Sequence, residues 1–174
     1  MSLVSIIIPN YNHAQFLERR IDNVLNQSYE NINVIILDDA SNDNSQEIIN
    51  SYKNHRQISH IIFNESNSGS PFIQWRKGLE LATGKYVWIA ESDDYSKPDF
   101  LEKCIRVLEE EESLALAFCD TVAVDSNDQK LSFGNNRKLS DRYNAIEDKF
   151  FYNWFFLNDS FRILNASSCV FRRS

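Results

Sequence analysis

The sequence predicts an α/β fold in which a mostly parallel, twisted sheet is flanked by helices on both faces. Three short runs, Val4–Ile8, Val34–Leu37 and Tyr86–Ala90, are apolar and rich in β-branched or aromatic residues, as buried strands are. The segments between them place apolar residues at helical spacing. A chain in which strands alternate with helices pairs its strands in parallel, because each helix returns the chain to the same end of the sheet.

Start and stop signals define the first elements along the chain. Pro9 is expected to end the first strand, since proline has no N–H to donate to a strand ladder. A helix is predicted over 13–27, with Asn12 as its N-cap. After the second strand, Asp43 and Gln46 have the spacing of a capping box, which predicts a short helix. The apolar positions of the first helix lie three or four residues apart: Leu17, Ile21 and Val24.

The second half of the chain continues the alternation with weaker signals. Ile58–Phe63 has the apolar composition of a third strand. Gly84 is expected to end a helix around Phe72–Ala82, and Pro98 fits the first turn of the next helix. The remaining predicted elements are a strand at Leu114–Val124, a helix over 145–157 with apolar residues at helical spacing, and a last strand at Asn165–Arg172.

Composition excludes several classes of function. The chain has 174 residues and a net charge of −7, so it lacks the excess of basic residues with which proteins neutralise nucleic-acid phosphates. No apolar run approaches the roughly 20 residues of a membrane span, and the N-terminal residues do not form a secretion signal. Three cysteines, Cys104, Cys119 and Cys169, predict buried free thiols, as expected in a reducing cytoplasm.

Two adjacent carboxylates are the strongest functional signal. Asp93 and Asp94 follow the Tyr86–Ala90 strand and therefore lie at its carboxyl end, where open α/β sheets bind ligands. Neighbouring side chains of an extended chain point in different directions, so one carboxylate can bind a hard cation while the other accepts hydrogen bonds from hydroxyls. This pair suits a sugar linked to a diphosphate. The alternative is an ordinary solvated loop after a strand.

The ends of the first two strands carry further candidates. Tyr11 lies where a ring can stack on a nucleobase, and Asp39 can accept the imino proton of a pyrimidine. The alternatives are a tyrosine that covers the sheet edge and an aspartate that caps a turn. Paired acids also occur in phosphorelay receiver domains, but those need a phosphoacceptor after the third strand, where this chain has Asn64 and Glu65.

A glycine turn before the third helix is a weaker candidate for a phosphate site. Asn67–Ser70 contains Gly69, and exposed amides at a helix N-terminus can bind an anion. Arg76 and Lys77 follow on the helix and can reach a diphosphate from there. A simple loop and a solvated basic pair are the alternatives.

Taken together, these residues resemble the family-2 glycosyltransferases, which have the GT-A fold. The resemblance runs from Val4 to about Asp128, with a weaker trace to Arg173. Its order and spacing are specific, although each motif alone is not. The Gly69–Gly78 loop is about one residue longer than the family pattern. The residues that carry the resemblance are Val4–Asn12, Ile36–Asp43, Asn67, Gly69, Gly78, Ala82–Tyr86 and Ser92–Asp94.

The resemblance implies a role for each matching residue. Pro9 and Tyr11 would line the nucleobase pocket, and Asp39 would accept a hydrogen bond from the base. Asp93 would contact the ribose, and Asp94 would bind Mn²⁺ or Mg²⁺ at the diphosphate. Gly69 and Arg76 are weaker candidates for the diphosphate. The implied reaction is an inverting attack of an acceptor hydroxyl on the anomeric carbon, assisted by a carboxylate base.

The catalytic base is expected beyond Ser174, and Asp141 and Asp159 are weaker candidates within the chain. The chain is accordingly predicted to be part of a longer protein. Residues 1–174 would form one domain, with a nucleotide-binding part over 1–128 and the start of an acceptor part over 129–174. The family implies a UDP-sugar donor, a carbohydrate or lipid-linked acceptor, and bacterial cell-surface polysaccharide synthesis in the cytoplasm, with association at the inner membrane face left open.

Two other functions stay open at this point. A non-catalytic module that binds nucleotide-sugar without a base would carry the same motifs. A nucleotidyltransferase would share the sheet and the metal chemistry. That class opens with a glycine-rich, basic loop after the first strand, whereas this chain has Asn10–Ala14 there, without glycine.

Overall fold

The computed structural model describes residues 1–125, 129–130, 144–147 (backbone only) and 165–173. Within these ranges, no helix combines the length and the apolar character needed to cross a bilayer. The elements are β1 (Val4–Asn10), α1 (Ala14–Leu25), β2 (Ile32–Asp38), α2 (Ser45–Ser51), β3 (Ile58–Phe63), α3 (Pro71–Leu81), β4 (Tyr86–Ile89), α4 (Phe100–Glu110), β5 (Leu114–Phe118), β6 (Asn144–Glu147), a short 3₁₀ helix (Ala166–Ser168) and β7 (Cys169–Arg172).

The strands form one sheet in the order β3-β2-β1-β4-β7-β5-β6. The first four neighbours, β3, β2, β1 and β4, pair in parallel. Strand β7 runs antiparallel to both β4 and β5, so β5 has the same direction as the first four strands. Strand β6 is antiparallel to β5. Five strands thus share one direction, which confirms the predicted mostly parallel α/β fold.

The core lies on both faces of this sheet. All seven residues of β1 are buried. Ile6 and Ile8 face one core cluster with the apolar sides of α1, α2 and α4, whereas Ile7 faces a second cluster against α3. Because β1 is covered on both faces, its sequence is a continuous apolar run rather than an alternating one. The resulting three layers leave the carboxyl ends of the strands open at one edge.

Two boundary predictions near the first strand are wrong. Strand β1 continues through Pro9 to Asn10, which pairs with Asp38 and accepts a hydrogen bond from the Asp39 N–H at 2.9 Å. Helix α1 begins at Ala14 with His13 at the N-cap position, where the His13 side chain makes no capping bond; the Asp43 carboxylate accepts from the Ala14 N–H instead, at 2.8 Å. Asn12 instead adopts a left-handed backbone with φ of 55° and accepts a hydrogen bond from the Asn42 N–H at 2.7 Å.

Gly84 does not end helix α3, contrary to the prediction. The helix ends at Leu81, and Ala82 already has extended backbone. A Cβ at Gly84 would lie 2.6 Å from the Ser5 nitrogen and 2.7 Å from the Leu3 carbonyl oxygen. Glycine is therefore required because the chain passes directly over the backbone of β1 at this position.

The C-terminal predictions need further corrections. The strand predicted at Leu114–Val124 ends at Phe118. The helix predicted over 145–157 is wrong where the structure describes it, because residues 144–147 form β6 and pair with β5; the remainder lies outside the described residues. Pairing with a sheet edge prevails here over the local helical spacing. The last predicted strand begins with a 3₁₀ turn, since the Asn165 side chain accepts from the Ser167 N–H at 2.6 Å.

The three cysteines are free thiols, as predicted; Cys104 and Cys169 are buried, whereas Cys119 is only partly buried. Burial raises the pKa of the Cys119 thiol to about 11 and that of Cys169 to about 12. Burial also raises the pKa of Cys104, which packs in the core. Protonated thiols are poor nucleophiles, so these side chains contribute packing rather than reactivity.

Candidate functional site

Three neighbouring strands deliver their following loops to one edge of the sheet. Asn10 at the end of β1 pairs with Asp38 at the end of β2, and Ile89 at the end of β4 pairs with Ile7. A cleft of about 330 Å³ lies at this edge. Its lining residues come from these loops and from the start of α3: Pro9, Asn10, Tyr11, His13, Asp39, Asn67, Gly69, Ser70, Pro71, Gln74, Glu91 and Ser92.

The turn after β2 separates two adjacent carboxylates. Ala40 has a φ of 61°, a left-handed conformation that is uncommon for a residue with a Cβ. Asp38 is completely buried and accepts hydrogen bonds from the Asn10 side chain at 2.8 Å and the Ser41 hydroxyl at 2.6 Å. Asp39 instead lines the cleft. Asp38 therefore holds the loops after β1 and β2 together, while Asp39 is free for a different set of partners.

Asp39 is held by several donors at the bottom of the cleft. Its Oδ1 accepts from the Asn64 amide at 2.6 Å and from the Gln74 amide at 2.8 Å. Its Oδ2 accepts from the Ser68 hydroxyl at 2.7 Å, and the Ser68 N–H lies 3.0 and 3.1 Å from the two oxygens. The side chain is only 3% exposed. Asp39 is thus a fixed hydrogen-bond acceptor whose orientation is set by α3 and the loop after β3.

Tyr11, Pro9 and Gly69 lie around the same cleft. Tyr11 is 42% exposed, so its ring is available to a planar ligand. Gly69 has a φ of 74° and donates its N–H to the Asn67 side chain at 2.7 Å. The left-handed conformation at Gly69 favours glycine and turns the loop into the first residues of α3. The structure thereby brings together four of the predicted site residues, namely Pro9, Tyr11, Asp39 and Gly69.

An acidic turn, Glu91–Asp94, follows β4, and its first two residues line the cleft. Glu91 accepts a hydrogen bond from the Trp75 indole at 2.7 Å, and the Ser92 hydroxyl lies 2.7 Å from Nδ1 of His13. Burial raises the pKa of Glu91 to about 6, and the charges of Asp93 and Asp94 add to the increase, whereas the Trp75 hydrogen bond opposes it.

Asp93 and Asp94 continue this turn beyond the residues that line the cleft. Asp93 is exposed. Asp94 closes the turn with its N–H on the Glu91 carbonyl at 3.2 Å, and its Oδ2 accepts from the Asn165 amide at 2.6 Å. Across the described residues, no group of three or more His, Cys, Asp or Glu side chains is arranged to hold a metal ion. A protein ligand set of one or two carboxylates still suits Mg²⁺ or Mn²⁺ when phosphates and water supply the other oxygens.

Arg76 lies away from the cleft. It is on the exposed side of α3, within 4.0 Å of Glu80, and both side chains are at least 70% exposed. It is not among the cleft-lining residues. Its assignment to the diphosphate stays a prediction.

Several residues of the site were not found by sequence reasoning. His13 and Gln74 line the cleft but belong to none of the sequence motifs above. Asn10 and Glu91 also line it and lie within or directly beside those motifs, but no role was predicted for either. Gln74 offers one usable signal, because it is a polar residue on the buried side of α3, four positions before the buried Gly78. A buried amide needs partners, so its position indicates a polar neighbour in the fold.

Comparison with known proteins assigns the chain to a family. Residues 5–174 match the family described as Glycosyl transferase family 2. A similar protein is the putative teichuronic acid biosynthesis glycosyltransferase TuaG of Bacillus subtilis, which is 38% identical over 116 residues, 67% of this chain and 45% of TuaG. The chain therefore spans less than half the length of that relative.

Solved structures show the same fold. S. aureus TarS 1–349 in complex with UDP superposes with a TM-score of 0.67 at 20% identity, covering 97% of this chain and 46% of that one. The mannosyltransferase PcManGT of Pyrobaculum calidifontis, in complex with GDP-Man and Mn²⁺, gives a TM-score of 0.62 at 23% identity, covering 69% of this chain and 36% of its own. The sheet is thus of the GT-A type, and on the match over residues 5–174 the chain belongs to Glycosyl transferase family 2.

Proposed function

We propose that this chain is the donor-binding part of an inverting, metal-dependent glycosyltransferase. It would move a sugar from a nucleoside-diphosphate donor, with UDP favoured, to an acceptor hydroxyl during bacterial cell-surface polysaccharide synthesis. One observation carries this proposal. The stacking candidate Tyr11, the anchored acceptor Asp39 and the acidic turn Glu91–Asp94 lie at one edge of the sheet, and Tyr11, Asp39 and the first two residues of the turn line the same cleft. The teichuronic acid biosynthesis for which TuaG is named, and the UDP bound to TarS, support the substrate class.

The nucleobase would bind between Tyr11 and Asp39. The ring of Tyr11 offers a stacking surface, and Pro9 lies beside it at the end of β1. Asp39 already accepts from three residues, but the Ser68 hydroxyl lies 3.3 Å from the Ser70 carbonyl oxygen as well. Rotation of this hydroxyl toward Ser70 would free one lone pair of Asp39 Oδ2 for the imino N–H of a uracil ring.

The acidic turn would receive the ribose and the diphosphate. Asp93 is exposed and can accept hydrogen bonds from ribose hydroxyls, and Gly69, which lines the cleft, would contact the diphosphate. Asp94 would hold Mn²⁺ or Mg²⁺, since the Asn165 amide occupies one carboxylate oxygen and fixes the direction of the other. When bound, the cation neutralises the charge that develops on the departing nucleoside diphosphate.

The remaining functional assignments stay predictions. The catalytic carboxylate is expected beyond Ser174, and its weaker candidates Asp141 and Asp159 lie outside the described residues. We further propose that residues 1–128 bind the nucleotide and that 129–174 begin the acceptor part. A carbohydrate or lipid-linked acceptor would place the reaction in the cytoplasm or at the inner face of the membrane.

A thermal-shift experiment with UDP and Mn²⁺ tests this function. Ligand at about a hundredfold excess over its dissociation constant contributes about 2.7 kcal/mol, which corresponds to a rise in Tm of roughly 5–10 °C for a domain of this size. Asp94→Asn should remove the Mn²⁺-dependent part of the rise. Asp99→Asn is the matched control, because Asp99 pairs with Lys103 at 2.6 Å on α4 and is not a cleft residue. A Tm that does not respond to UDP and Mn²⁺ would contradict the proposal.

A further inference from the structure

Helix α1 carries a completely buried arginine that packs on Trp88 of β4, the strand that leads into the acidic turn. Arg20 is 0% exposed, in a position where the helix otherwise presents apolar side chains to the core. It follows Leu17 by three residues and precedes Val24 by four, which is the spacing of a buried helix face. A charged side chain in this position needs compensation, since burying an ion without partners costs several kcal/mol.

The direct contacts of Arg20 supply only part of that compensation. Its guanidinium carbon lies 4.7 Å from the ring centroid of Trp88, a cation–π contact. Its Nη1 donates to the Asn23 side chain at 3.2 Å. Its Nε and Nη2 are buried and have no hydrogen-bond partner among the described residues. Two donors of a fully buried cation thus lack a local acceptor.

The negative charges that act on Arg20 belong to the acidic turn. Burial lowers the pKa of the guanidinium to about 10, and the negative charges of Asp94, Glu91 and Asp93, in that order, act against the decrease. Arg20 therefore stays charged at neutral pH. Three carboxylates within four residues repel one another, and Arg20 is a cation that acts on all three.

The same helix also fixes the far end of the loop that follows the turn. Asn23, the hydrogen-bond partner of Arg20, accepts from the Ser96 N–H at 2.9 Å and donates to the Ser96 carbonyl at 2.7 Å. At the near end, the Glu91 N–H donates to the Ser167 hydroxyl at 2.8 Å. The backbone of the loop is thus held on both sides, while Arg20, on the same helix as Asn23, packs on Trp88 of the strand that leads into the turn.

We propose that Arg20 is a positioning residue, the internal counter-ion that holds Glu91, Asp93 and Asp94 together before the donor and its cation bind. A methionine or leucine would fill this position without the cost of desolvating a charge, so packing alone does not account for arginine. The inference rests on the proposed function only for the role of this arrangement, which is to hold Asp94 in place for a cation. The electrostatic coupling between Arg20 and Asp94 exists in the metal-free chain and can be measured there.

A double-mutant cycle in chelating buffer tests the coupling. The free energy of unfolding is measured by urea denaturation for Arg20→Met, Arg20→Lys and Asp94→Asn and for each Arg20 variant combined with Asp94→Asn. Arg20→Met should raise the unfolding equilibrium constant by about a hundredfold. In the Asp94→Asn background this penalty should shrink to about tenfold, because one of the carboxylates no longer needs a counter-ion. Arg20→Lys keeps the charge and should cost less than Arg20→Met.

Arg106→Met is the matched control, because Arg106 is an exposed arginine on α4. It should change the unfolding constant by less than about threefold in either background. Equal penalties of Arg20→Met in both backgrounds, or a lysine variant as unstable as the methionine variant, would overturn the proposal. If Arg20→Met does not fold, recovery of folding in combination with Asp94→Asn supports the proposal, and failure of both variants to fold overturns it.

Addition of Mn²⁺ and UDP to the same variants separates this inference from the proposed function. An unfolding free energy of the wild-type chain that does not change on addition of Mn²⁺ and UDP would refute the proposed metal site. The coupling measured in chelator would stand in that case, since it involves only the residues of the chain.

Discussion

Asp39→Asn separates the structural and binding roles of the carboxylate at the bottom of the cleft. The asparagine keeps an acceptor toward the Asn64 and Gln74 amides, which bind Oδ1 at 2.6 and 2.8 Å. Its amide nitrogen would replace Oδ2, which now accepts from the Ser68 hydroxyl at 2.7 Å. That hydroxyl can rotate and accept, but the Ser68 N–H loses one of its two acceptors and all remaining bonds lose charge assistance.

The expected cost of Asp39→Asn is about 2 kcal/mol of unfolding free energy, on the scale of one weakened buried hydrogen bond plus lost charge assistance. For a domain of this size, that change lowers the Tm by about 4–8 °C. UDP affinity should fall by more than the loss of stability accounts for, because the asparagine amide, a donor, would then face the imino N–H of the base, which is also a donor. We expect UDP affinity to fall at least about tenfold, measured by calorimetric titration at matched fractions of folded protein.

Asp38→Asn is the control for the loss of a buried carboxylate. Asp38 is 0% exposed and accepts from Asn10 and from both donors of Ser41. It does not line the cleft, so its variant should lose comparable stability while the folded fraction still binds UDP. UDP affinity that is unchanged in Asp39→Asn, or lost equally in both variants, would refute the assignment of Asp39 to the base.

Three further outcomes are expected. Gly84→Ala should destabilise the chain by about 3 kcal/mol or more in urea unfolding, because its Cβ would lie 2.6 Å from a backbone nitrogen, and a loss below about 1 kcal/mol would contradict this. The pKa of Glu91 is raised from 4.5 to about 6, so between these pH values the folded chain binds more protons than the unfolded chain. The free energy of unfolding should therefore fall as pH rises through this window, by at most about 1 kcal/mol after allowance for partial exposure. Glu91→Gln should remove this slope in urea unfolding measured across the same pH range. Residues 1–174 alone should show little sugar transfer in a radiolabelled-donor assay, and robust transfer would place the catalytic base inside the chain.

The strands and the location of the site could be predicted because both depend on local patterns. A strand buried on both faces, such as Val4–Asn10, is apolar at nearly every position, and parallel strands bring their carboxyl ends to one edge. Tyr11 and Asp39 follow directly from those two facts, because each comes immediately after such a strand. Gly69 was indicated by its turn and by the helix that begins after it.

The parts that could not be predicted depend on contacts between distant residues. Gln74 and Asn64 bind Asp39 across separations of 35 and 25 residues, and no spacing rule connects them. Arg20 lies on the buried face of α1, but a charged residue in a helical pattern is expected on the exposed face, so the sequence did not indicate its burial. Residues 145–157 have apolar residues at helical spacing, yet the described part, residues 144–147, pairs with β5, since the hydrogen bonds of a sheet edge outweigh local propensity.

A crystal structure of the chain with UDP and Mn²⁺, with anomalous data collected for manganese, tests the central claim most directly. The account predicts the uracil ring against Tyr11 with its imino nitrogen within hydrogen-bond distance of Asp39, and an anomalous peak next to an Asp94 oxygen. Nucleotide density elsewhere on the chain, or manganese bound away from the Glu91–Asp94 turn, would contradict it.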